Sequence, residues 1–398
     1  MDFKLIGSIL LIVGTSIGAG MLALPIATAE LGFLGSLILL FVCWFIMTSG
    51  AFLLLEANLW LPQNSNIISM ARVTIGPVGQ IIAWIAYLLL LYSLLCAYIA
   101  GGSDLFHNLL LAEHLNSPQW SSAIFFTVLF GSIVYLGIRS VDYTNRVLMF
   151  IKLGAYLLLV TLLSSFISID KLSAGNLKNI TSVTALTVTI TSFGYATIVP
   201  SLRVYFASNV KKLKMAILIG SLIPLVCYIA WDAVIMGVIP LYGQNGLIEI
   251  LTSDNSTSRL VNTLGGMAQT NSVIFFTKLF TSICVVTSFL GVALCLVDFL
   301  ADGFQVEKKG KSNVMVHFIA FLPPLIIVLF FPNMFIKALQ YAGIYCTILL
   351  ILLPAWMVWR GRYVRHMDRG FRVVGGKTLL ALLILFSLTV CVLLFLAI

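Results

Sequence analysis

Two short stretches of the sequence combine glycine with hydroxyl side chains inside otherwise apolar segments. The first covers residues 14–20, which read Gly-Thr-Ser-Ile-Gly-Ala-Gly, and the second covers residues 192–197, which read Ser-Phe-Gly-Tyr-Ala-Thr. Each is followed by a proline, at Pro25 and Pro200. Glycine favours local unwinding of a helix, so each stretch predicts a break. Such a break leaves N–H groups open at the start of one half-helix and C=O groups open at the end of the other.

Open backbone groups of this kind can bind a zwitterion. The N–H groups at a helix start attract a carboxylate, and the C=O groups at a helix end attract an ammonium or a cation. Unwound backbone at membrane depth is tolerated only where it lines protein or a polar cavity. The two stretches therefore predict a binding site for an amino acid, which carries both charges.

The same glycines also fit a simpler interpretation, in which they only pack helices. Gly14 and Gly18 form a GxxxG pair, which is a common packing motif in membranes, and Gly194 alone could serve packing as well. We favour a transport site because the two stretches occupy matching positions in two halves of the chain.

The composition places both stretches in a membrane protein. Of the 398 residues, 61% are hydrophobic and only 9% are charged, whereas about a quarter of the residues of a soluble domain are charged. The apolar runs are long and do not alternate with polar residues, which excludes a transmembrane barrel. Water-soluble enzymes and nucleic-acid binders are poor fits, and the expected class is an all-α polytopic membrane protein.

The apolar runs predict eleven membrane-spanning helices in one transporter domain over residues 1–398. We assign a first repeat of five helices to residues 1–170, a second of five to residues 183–359 and an extra helix to residues 378–397. Because five is odd, the second repeat enters the membrane from the opposite side, which is the inverted repeat of secondary transporters. Helices one and six, which hold the breaks, then correspond. The predicted bounds are 5–29, 31–61, 78–101, 121–137, 147–169, 183–206, 213–239, 272–300, 314–331, 335–359 and 378–397.

The basic residues predict the orientation of these helices. With the N-terminus in the cytoplasm and the C-terminus outside, most of the 23 Lys and Arg residues lie on the cytoplasmic side, as the positive-inside rule requires. The main clusters are Lys211, Lys212 and Lys214; Lys308, Lys309 and Lys311; and Arg360, Arg362, Arg365, Arg369 and Arg372.

No cofactor or metal site is expected from the side chains that could form one. The seven cysteines lie singly in apolar runs and the four histidines are scattered, so neither set has ligand spacing. The spans also lack the nucleophile–base set that a membrane enzyme would need. A channel would need a ring-forming filter or an oligomeric pore, and the paired breaks do not require either. Nucleic acid is not expected as a partner.

Four stretches of the chain resemble the bacterial hydroxy and aromatic amino acid permeases, which include the tyrosine- and tryptophan-specific transport proteins. They cover residues 14–25, 192–201, 219–225 and 288–298. The resemblance extends over essentially the whole chain. It implies the leucine-transporter-type fold of the amino acid–polyamine–organocation superfamily, with ten core helices plus one. It also implies import of an aromatic amino acid with protons across the bacterial inner membrane.

One departure from the family pattern concerns substrate choice. The family often has Phe-Gly-Phe-His in helix six, whereas this chain has Phe-Gly-Tyr-Ala at residues 193–196. The side chain at this break is expected to face substrate. Tyrosine is the favoured substrate, and tryptophan and phenylalanine stay open.

The predicted substrate-binding residues surround the two breaks. The backbone of residues 16–20 should hold the substrate carboxylate, and the groups near Ser192 and Phe193 should accept its ammonium. Tyrosines of helices three and ten (Tyr87 or Tyr92, Tyr341 or Tyr345) could form an aromatic pocket, although membrane tyrosines often only fill space. The full set is Thr15, Ser16, Ile17, Gly18, Ala19, Gly20, Ser192, Phe193, Gly194, Tyr195, Thr197, Tyr92 and Tyr345.

Ion coupling is predicted at Lys152 on helix five, with Thr287 and Ser288 on helix eight. An ammonium at this depth can rest against helix-one carbonyls and these hydroxyls in place of a sodium ion. Some proton-coupled members of the superfamily resemble this arrangement, and a buried lysine can exchange protons near neutrality. The alternatives are a lysine that snorkels to the interface and, for the whole protein, a sodium-coupled importer of small neutral amino acids.

Three further charged residues lie within or near the ends of spans. Asp232 and Lys278 lie toward the outer side, and intramembrane charges are by default candidates for function. Asp298 lies near the inner end of helix eight and is expected to contact the basic inner loops.

Overall fold

The computed structural model describes residues 3–63, 65–112, 114, 117–206, 209–253, 255–268, 271–332, 334–367 and 370–397. Arg369, which belongs to a predicted cytoplasmic cluster, lies outside these residues. Within them the chain forms helices and connecting segments and no strand. The α-helices are α1 Phe3–Ser16, α2 Ala19–Ala27, α3 Gly32–Leu59, α4 Ile67–Thr74, α5 Pro77–Ala112, α6 Gln119–Tyr135, α7 Ile138–Ser164, α8 Ile169–Leu172, α9 Val183–Ser192, α10 Val199–Tyr205, α11 Val210–Val238, α12 Leu247–Thr252, α13 Ser256–Ala268, α14 Asn271–Phe304, α15 Gly310–Phe330, α16 Met334–Thr347, α17 Leu353–Tyr363 and α18 Gly376–Ala397.

The predicted class of all-helical membrane protein is confirmed. In the described part of the chain, nine helices are long and apolar enough to cross a membrane, and α1 with α2 makes a tenth if the bent pair is one span. The fourth predicted span coincides with α6, an apolar helix of 17 residues. Every predicted span thus lies on an apolar helix, while the number of crossings, eleven, stays a prediction.

The broken helices lie at the centre of the bundle. The α1–α2 pair contacts α9, α11 and α14, and α9 contacts α3 and α16. Large apolar side chains are exposed on peripheral helices, for example Phe150 on α7, Phe318 on α15 and Leu385 on α18. In a membrane these faces meet lipid, so the apolar surface is large without being a binding patch.

Helices α16 and α17 are joined by a π-helical segment at Ile348–Leu352. Gly50 of α3 packs directly on it, since a Cβ added at Gly50 would lie 2.2 Å from the carbonyl oxygen of Leu350. Such π segments widen the helix locally and often occur at functional sites. Here the wider turn lies where Gly50 of α3 packs against it.

Buried cations tie one end of α3 to two distant parts of the chain. Arg362 of α17 donates from Nε to Glu56 Oε1 (2.7 Å) and from Nη2 to Glu56 Oε2 (2.5 Å), and both side chains are almost completely buried. The backbone N–H of Val373 also donates to Glu56 Oε2 (2.7 Å). Arg203 of α10 donates to the carbonyl oxygens of Asn58 and Leu61.

The contact predicted for Asp298 with the basic loops is confirmed. Lys308 Nζ lies 2.5 Å from Asp298 Oδ1, and both side chains are partly exposed. This pair joins the end of α14 to the segment before α15.

Candidate transport site

The first predicted break lies between α1 and α2, whose axes differ by 51°. Gly18 connects them in an extended conformation (φ −152°, ψ −153°). A Cβ at Gly18 would lie 2.3 Å from Ser288 Oγ, and one at Gly20 would lie 3.1 Å from Ser192 Oγ. The glycines therefore allow both the change of direction and the close approach of α14 and α9, so the packing interpretation describes part of their role.

Lys152 of α7 lies at the end of α1. Its Nζ donates to the carbonyl oxygen of Ile17 (2.6 Å) and to Thr287 Oγ1 of α14 (3.2 Å). The side chain has no exposed surface, so it does not snorkel to an interface. No ion pair of the described residues includes it. A buried ammonium here is stabilised by carbonyl and hydroxyl dipoles and by the negative end of the α1 dipole.

Ser288 takes part in the same site from the next position on α14. Its Oγ accepts a hydrogen bond from the backbone N–H of Ala19 (3.0 Å), at the start of α2. The backbone N–H of Met21 donates to the carbonyl oxygen of Gly18 (3.1 Å), which leaves the N–H of Gly20 as the open donor of this first turn in the described residues. The start of α2 thus retains the capacity to bind an anion.

Tyr228 of α11 links the two broken helices, and sequence reasoning missed it. Its hydroxyl lies 2.7 Å from the carbonyl oxygens of Ser16 and of Ser192, which end α1 and α9. The ring packs edge-on against Phe193, with centroids 5.1 Å apart. A phenol has one proton, so it donates fully to one carbonyl at a time and the two helix ends share one donor.

The second break joins α9 to α10 through a 3₁₀ turn at Gly194–Ile198. Pro200 lies in the first turn of α10, where its missing N–H has no cost. Tyr195 is fully buried, and its hydroxyl donates to Thr48 Oγ1 of α3 (3.0 Å). The Thr197 hydroxyl lies 3.5 Å from the Gly194 carbonyl within the same turn.

Ser16 carries an unused polar group at the centre of this arrangement. Its side chain is 4% exposed, and its Oγ has no hydrogen-bond partner among the described residues. Buried hydroxyls normally find a partner. The Ser16 hydroxyl is therefore available to form a hydrogen bond beside the start of α2.

The other predicted residues divide into those near the breaks and those away from them. Tyr345 is partly buried on α16, next to Cys346, whose Sγ would lie 3.5 Å from a Cβ at Gly194. The Tyr92 hydroxyl instead donates to the carbonyl oxygen of Ile319 on α15 (2.8 Å). Thr15 is exposed and donates to Leu11 of its own helix (2.8 Å).

The chain matches the model of the tryptophan/tyrosine permease family over residues 1–394. The chain belongs to this family. The predicted resemblance is confirmed, and membership of a permease family points to a transporter in a bacterial membrane rather than to an enzyme.

Three relatives that are similar to the chain over nearly its whole length differ in the substrates in their names. Tyrosine-specific transport system 1 of Haemophilus influenzae is 36% identical over 387 residues, which are 96% of this chain and 94% of that protein. The tryptophan-specific transport protein of the same organism is 30% identical, with 97% and 94% covered. Glutamine transporter 2 of Aliivibrio fischeri is also 30% identical, with 98% of each chain covered. These relatives are all named as amino acid transporters, but the amino acid in the name differs from one to another.

Proposed function

We propose that the chain imports an aromatic amino acid, tyrosine first, together with a proton and by alternating access. The observation that carries the proposal is the buried Lys152 ammonium, which contacts the end of α1 and Thr287 on α14 at the break between α1 and α2. The 36% identical tyrosine transporter supports tyrosine as the first substrate to test.

The proposed architecture is an inverted repeat of five plus five helices with an eleventh helix outside it. The breaks at residues 16–19 and 192–199 support it, because they fall in the first helix of each proposed repeat. In such transporters, interrupted helices in corresponding positions form a substrate site near the bilayer midplane. The N-terminus then lies in the cytoplasm and the C-terminus outside, which a protease-accessible tag at each end would test.

In the proposed complex the substrate carboxylate binds at the start of α2, near the unpartnered Ser16 hydroxyl. The ammonium binds at the end of α9, where Ser192 presents its carbonyl to Tyr228. The opposite charges of the two helix ends orient the amino acid. The Tyr195 ring lies at the second break and flanks the substrate once its hydroxyl leaves Thr48.

Lys152 supplies the proposed coupling. As an ammonium it attracts the Ile17 carbonyl through a charge as well as a hydrogen bond, and charge-assisted bonds are about twice as strong as neutral ones. Loss of the proton weakens the attachment of α1 to α14. The proton on Lys152 would thus control whether α1 can move. The ammonium lies against the same kind of oxygen atoms that a sodium ion would need as ligands. It already takes up these oxygen atoms, and the tyrosine- and tryptophan-specific relatives carry large aromatic substrates. Both observations disfavour sodium-coupled import of small neutral amino acids.

The test is uptake of labelled tyrosine into proteoliposomes under an inward proton gradient, an inward sodium gradient or neither. We expect accumulation with the proton gradient in sodium-free buffer, and competition by unlabelled tyrosine. Tryptophan, phenylalanine and glutamine serve as competitors that rank the side chains. Accumulation that requires sodium, or equal uptake under all three conditions, would refute the coupling.

A further inference from the structure

Asp232 on α11 is a buried carboxyl group that the proposed mechanism does not use. It has no exposed surface. One oxygen, Oδ2, accepts a hydrogen bond from the Ser36 hydroxyl of α3. The other, Oδ1, has no partner among the residues that the structure describes, and no ion pair there includes Asp232.

Among the described residues, the two other buried acids have a donor at each carboxylate oxygen. Glu56 is paired with Arg362 through both oxygens. Asp104 of α5 accepts from the backbone N–H of Ser258 (2.8 Å) on one oxygen and from the Ser258 hydroxyl (2.7 Å) on the other. These sites are built for carboxylates, because each oxygen has a donor. The Asp232 site lacks that feature.

An unpaired carboxylate in an apolar interior is costly, and such groups take up a proton instead. The neutral acid keeps a contact with α3, because a carboxylic acid can donate to the serine oxygen, although the hydrogen bond from the Ser36 hydroxyl is stronger when the acceptor is a carboxylate. The surroundings of Asp232 therefore suit the protonated form when α3 and α11 pack as observed.

The position of Asp232 links it to the transport site. It lies one turn along α11 from Tyr228, which touches the carbonyls of both broken helices. Tyr156, one turn along α7 from Lys152, donates to the Cys227 carbonyl of α11 (2.9 Å). A change at Asp232 would thus act on the helix that joins the two breaks.

A small cavity lies about one helical turn from Asp232, near the end of α11. This cavity of about 10 Å³ is lined in part by Gly32, Lys171 and Met236, which is about the space of one water molecule. Gly32 precedes Ser36 by one turn and Met236 follows Asp232 by one turn. The proposed orientation places this end of α11 on the outer side, from which an imported proton comes.

The charged and titratable groups around α11 leave Asp232 without a counter-charge in the described residues. On α8, Lys171 donates to the Val238 carbonyl (2.5 Å), and on α13, Arg259 pairs with Glu249 (2.8 Å). The remaining groups on α11 itself and on the helices packed against it are Lys211, Lys212, Lys214, Cys227 and Tyr228 on α11, Lys4 on α1, Cys43 and Glu56 on α3, Asp170 on α8, Arg139, Asp142, Tyr143, Arg146, Lys152 and Tyr156 on α7, and Lys278, Cys284, Cys295, Asp298 and Asp302 on α14.

We propose that Asp232 is a proton-binding site of this transporter, protonated when α3 and α11 are packed as observed and ionised when that contact opens to water. On opening, the O–H bond of the acid breaks and the proton passes to water, leaving a carboxylate; closure reverses the step. The inference rests on the proposed proton coupling, to which it adds a second group that exchanges a proton.

The test compares the full-length protein in membranes with Asp232→Asn, which mimics the neutral acid and cannot release a proton. The infrared difference spectrum at neutral pH should contain the C=O band of one carboxylic acid in the wild type that the variant lacks. In proteoliposomes the variant should still exchange tyrosine, while its uptake depends less on external pH and takes up fewer protons per tyrosine. An unchanged band or an unchanged pH profile would overturn the proposal.

Asp298→Asn is the matched control, because Asp298 is a partly exposed acid paired with Lys308. It should behave as wild type in both measurements, and an equal effect there would overturn the assignment to Asp232. Ser36→Ala keeps the acid and removes the hydroxyl that stabilises the carboxylate. It should move the midpoint of the uptake–pH profile upward by roughly one unit, and an unmoved midpoint would also count against the proposal.

The infrared band separates this inference from the proposed function. If tyrosine uptake by the wild type does not depend on the proton gradient, the proposed proton coupling is refuted, whether or not the infrared band of a carboxylic acid is present. If uptake is proton-driven and Asp232→Asn leaves it unaltered, the role of Asp232 alone fails.

Discussion

The two broken helices are held in different ways. At the first break, the end of α1 is bound by the Lys152 ammonium and the start of α2 by Ser288. At the second break, the chain turns within itself, and Tyr195 anchors it to α3 through a neutral hydroxyl pair. The first break therefore depends on a charge that can be lost, whereas the second depends on contacts that protons do not alter. Tyr228 is the shared element.

Lys152→Ala should have the largest effect, because it removes the charge that distinguishes the two breaks. Net uptake driven by a proton gradient should fall to the level of empty liposomes, while exchange of internal for external tyrosine is spared. Both are measured with labelled tyrosine. The control is Lys278→Ala, a partly buried lysine on α14, which should keep gradient-driven uptake. Normal uptake by Lys152→Ala would end its proposed role.

Gly18→Ala should be the next most damaging change, since the new methyl group would lie 2.3 Å from Ser288 Oγ. Overpacking of this kind costs about 1–3 kcal/mol, so thermal stability and uptake should both fall. Gly291→Ala on α14 has no heavy atom within 4 Å of the added Cβ and should behave as wild type. The double variant Gly18→Ala with Ser288→Ala should recover stability, because it removes the clashing atom; no recovery would mean that the clash is not the cause.

Tyr228→Phe should weaken the link between the breaks. Loss of a hydroxyl that serves two buried carbonyls costs about 1–2 kcal/mol. Because this hydroxyl holds both helix ends in place for the proposed substrate, we expect the cost to fall on binding and to lower tyrosine affinity about tenfold. Equilibrium binding to the purified protein measures it. Tyr156→Phe removes a hydroxyl bonded to the Cys227 carbonyl on the same helix and should change affinity much less. Equal losses in both variants would show that Tyr228 acts only through general packing.

Tyr195→Phe should have the smallest effect of the four. The hydroxyl bonds Thr48 rather than a backbone group of either break, so tyrosine affinity should change by less than about threefold. The preference between tyrosine and tryptophan, measured by competition, should be retained. A reversed preference between tyrosine and tryptophan would mean that the Tyr195 hydroxyl contacts the substrate. The second break would then take part in substrate binding through a polar side chain, as the first is proposed to do.

The predictions of two breaks and of oxygen partners for Lys152 rest on local signals in the sequence. Glycines and hydroxyls in an apolar run mark a site where helix is weak, and a lysine within a span needs oxygen partners. The helices themselves followed from apolar runs of membrane length.

The sequence could not predict Tyr228 or the Glu56–Arg362 pair. A tyrosine in an apolar run has no spacing that separates a linking role from space filling. Glu56 and Arg362 are 306 positions apart, and only the packing of α3 against α17 brings them together. Tyr92 illustrates the opposite case. The sequence suggested it as a residue of the substrate pocket, but its hydroxyl donates to the Ile319 carbonyl oxygen of α15.

The Glu56–Arg362 pair has a consequence for how the protein is made. Glu56 enters the membrane with an early helix, and its partner lies 306 residues later in the chain. Since Val373 also donates to Glu56, the site closes only after the ribosome has synthesised nearly the whole polypeptide. Until then the carboxyl group must stay at the membrane surface, hold a proton or find a temporary partner. A late step of biogenesis thus buries a charge that an early step introduced.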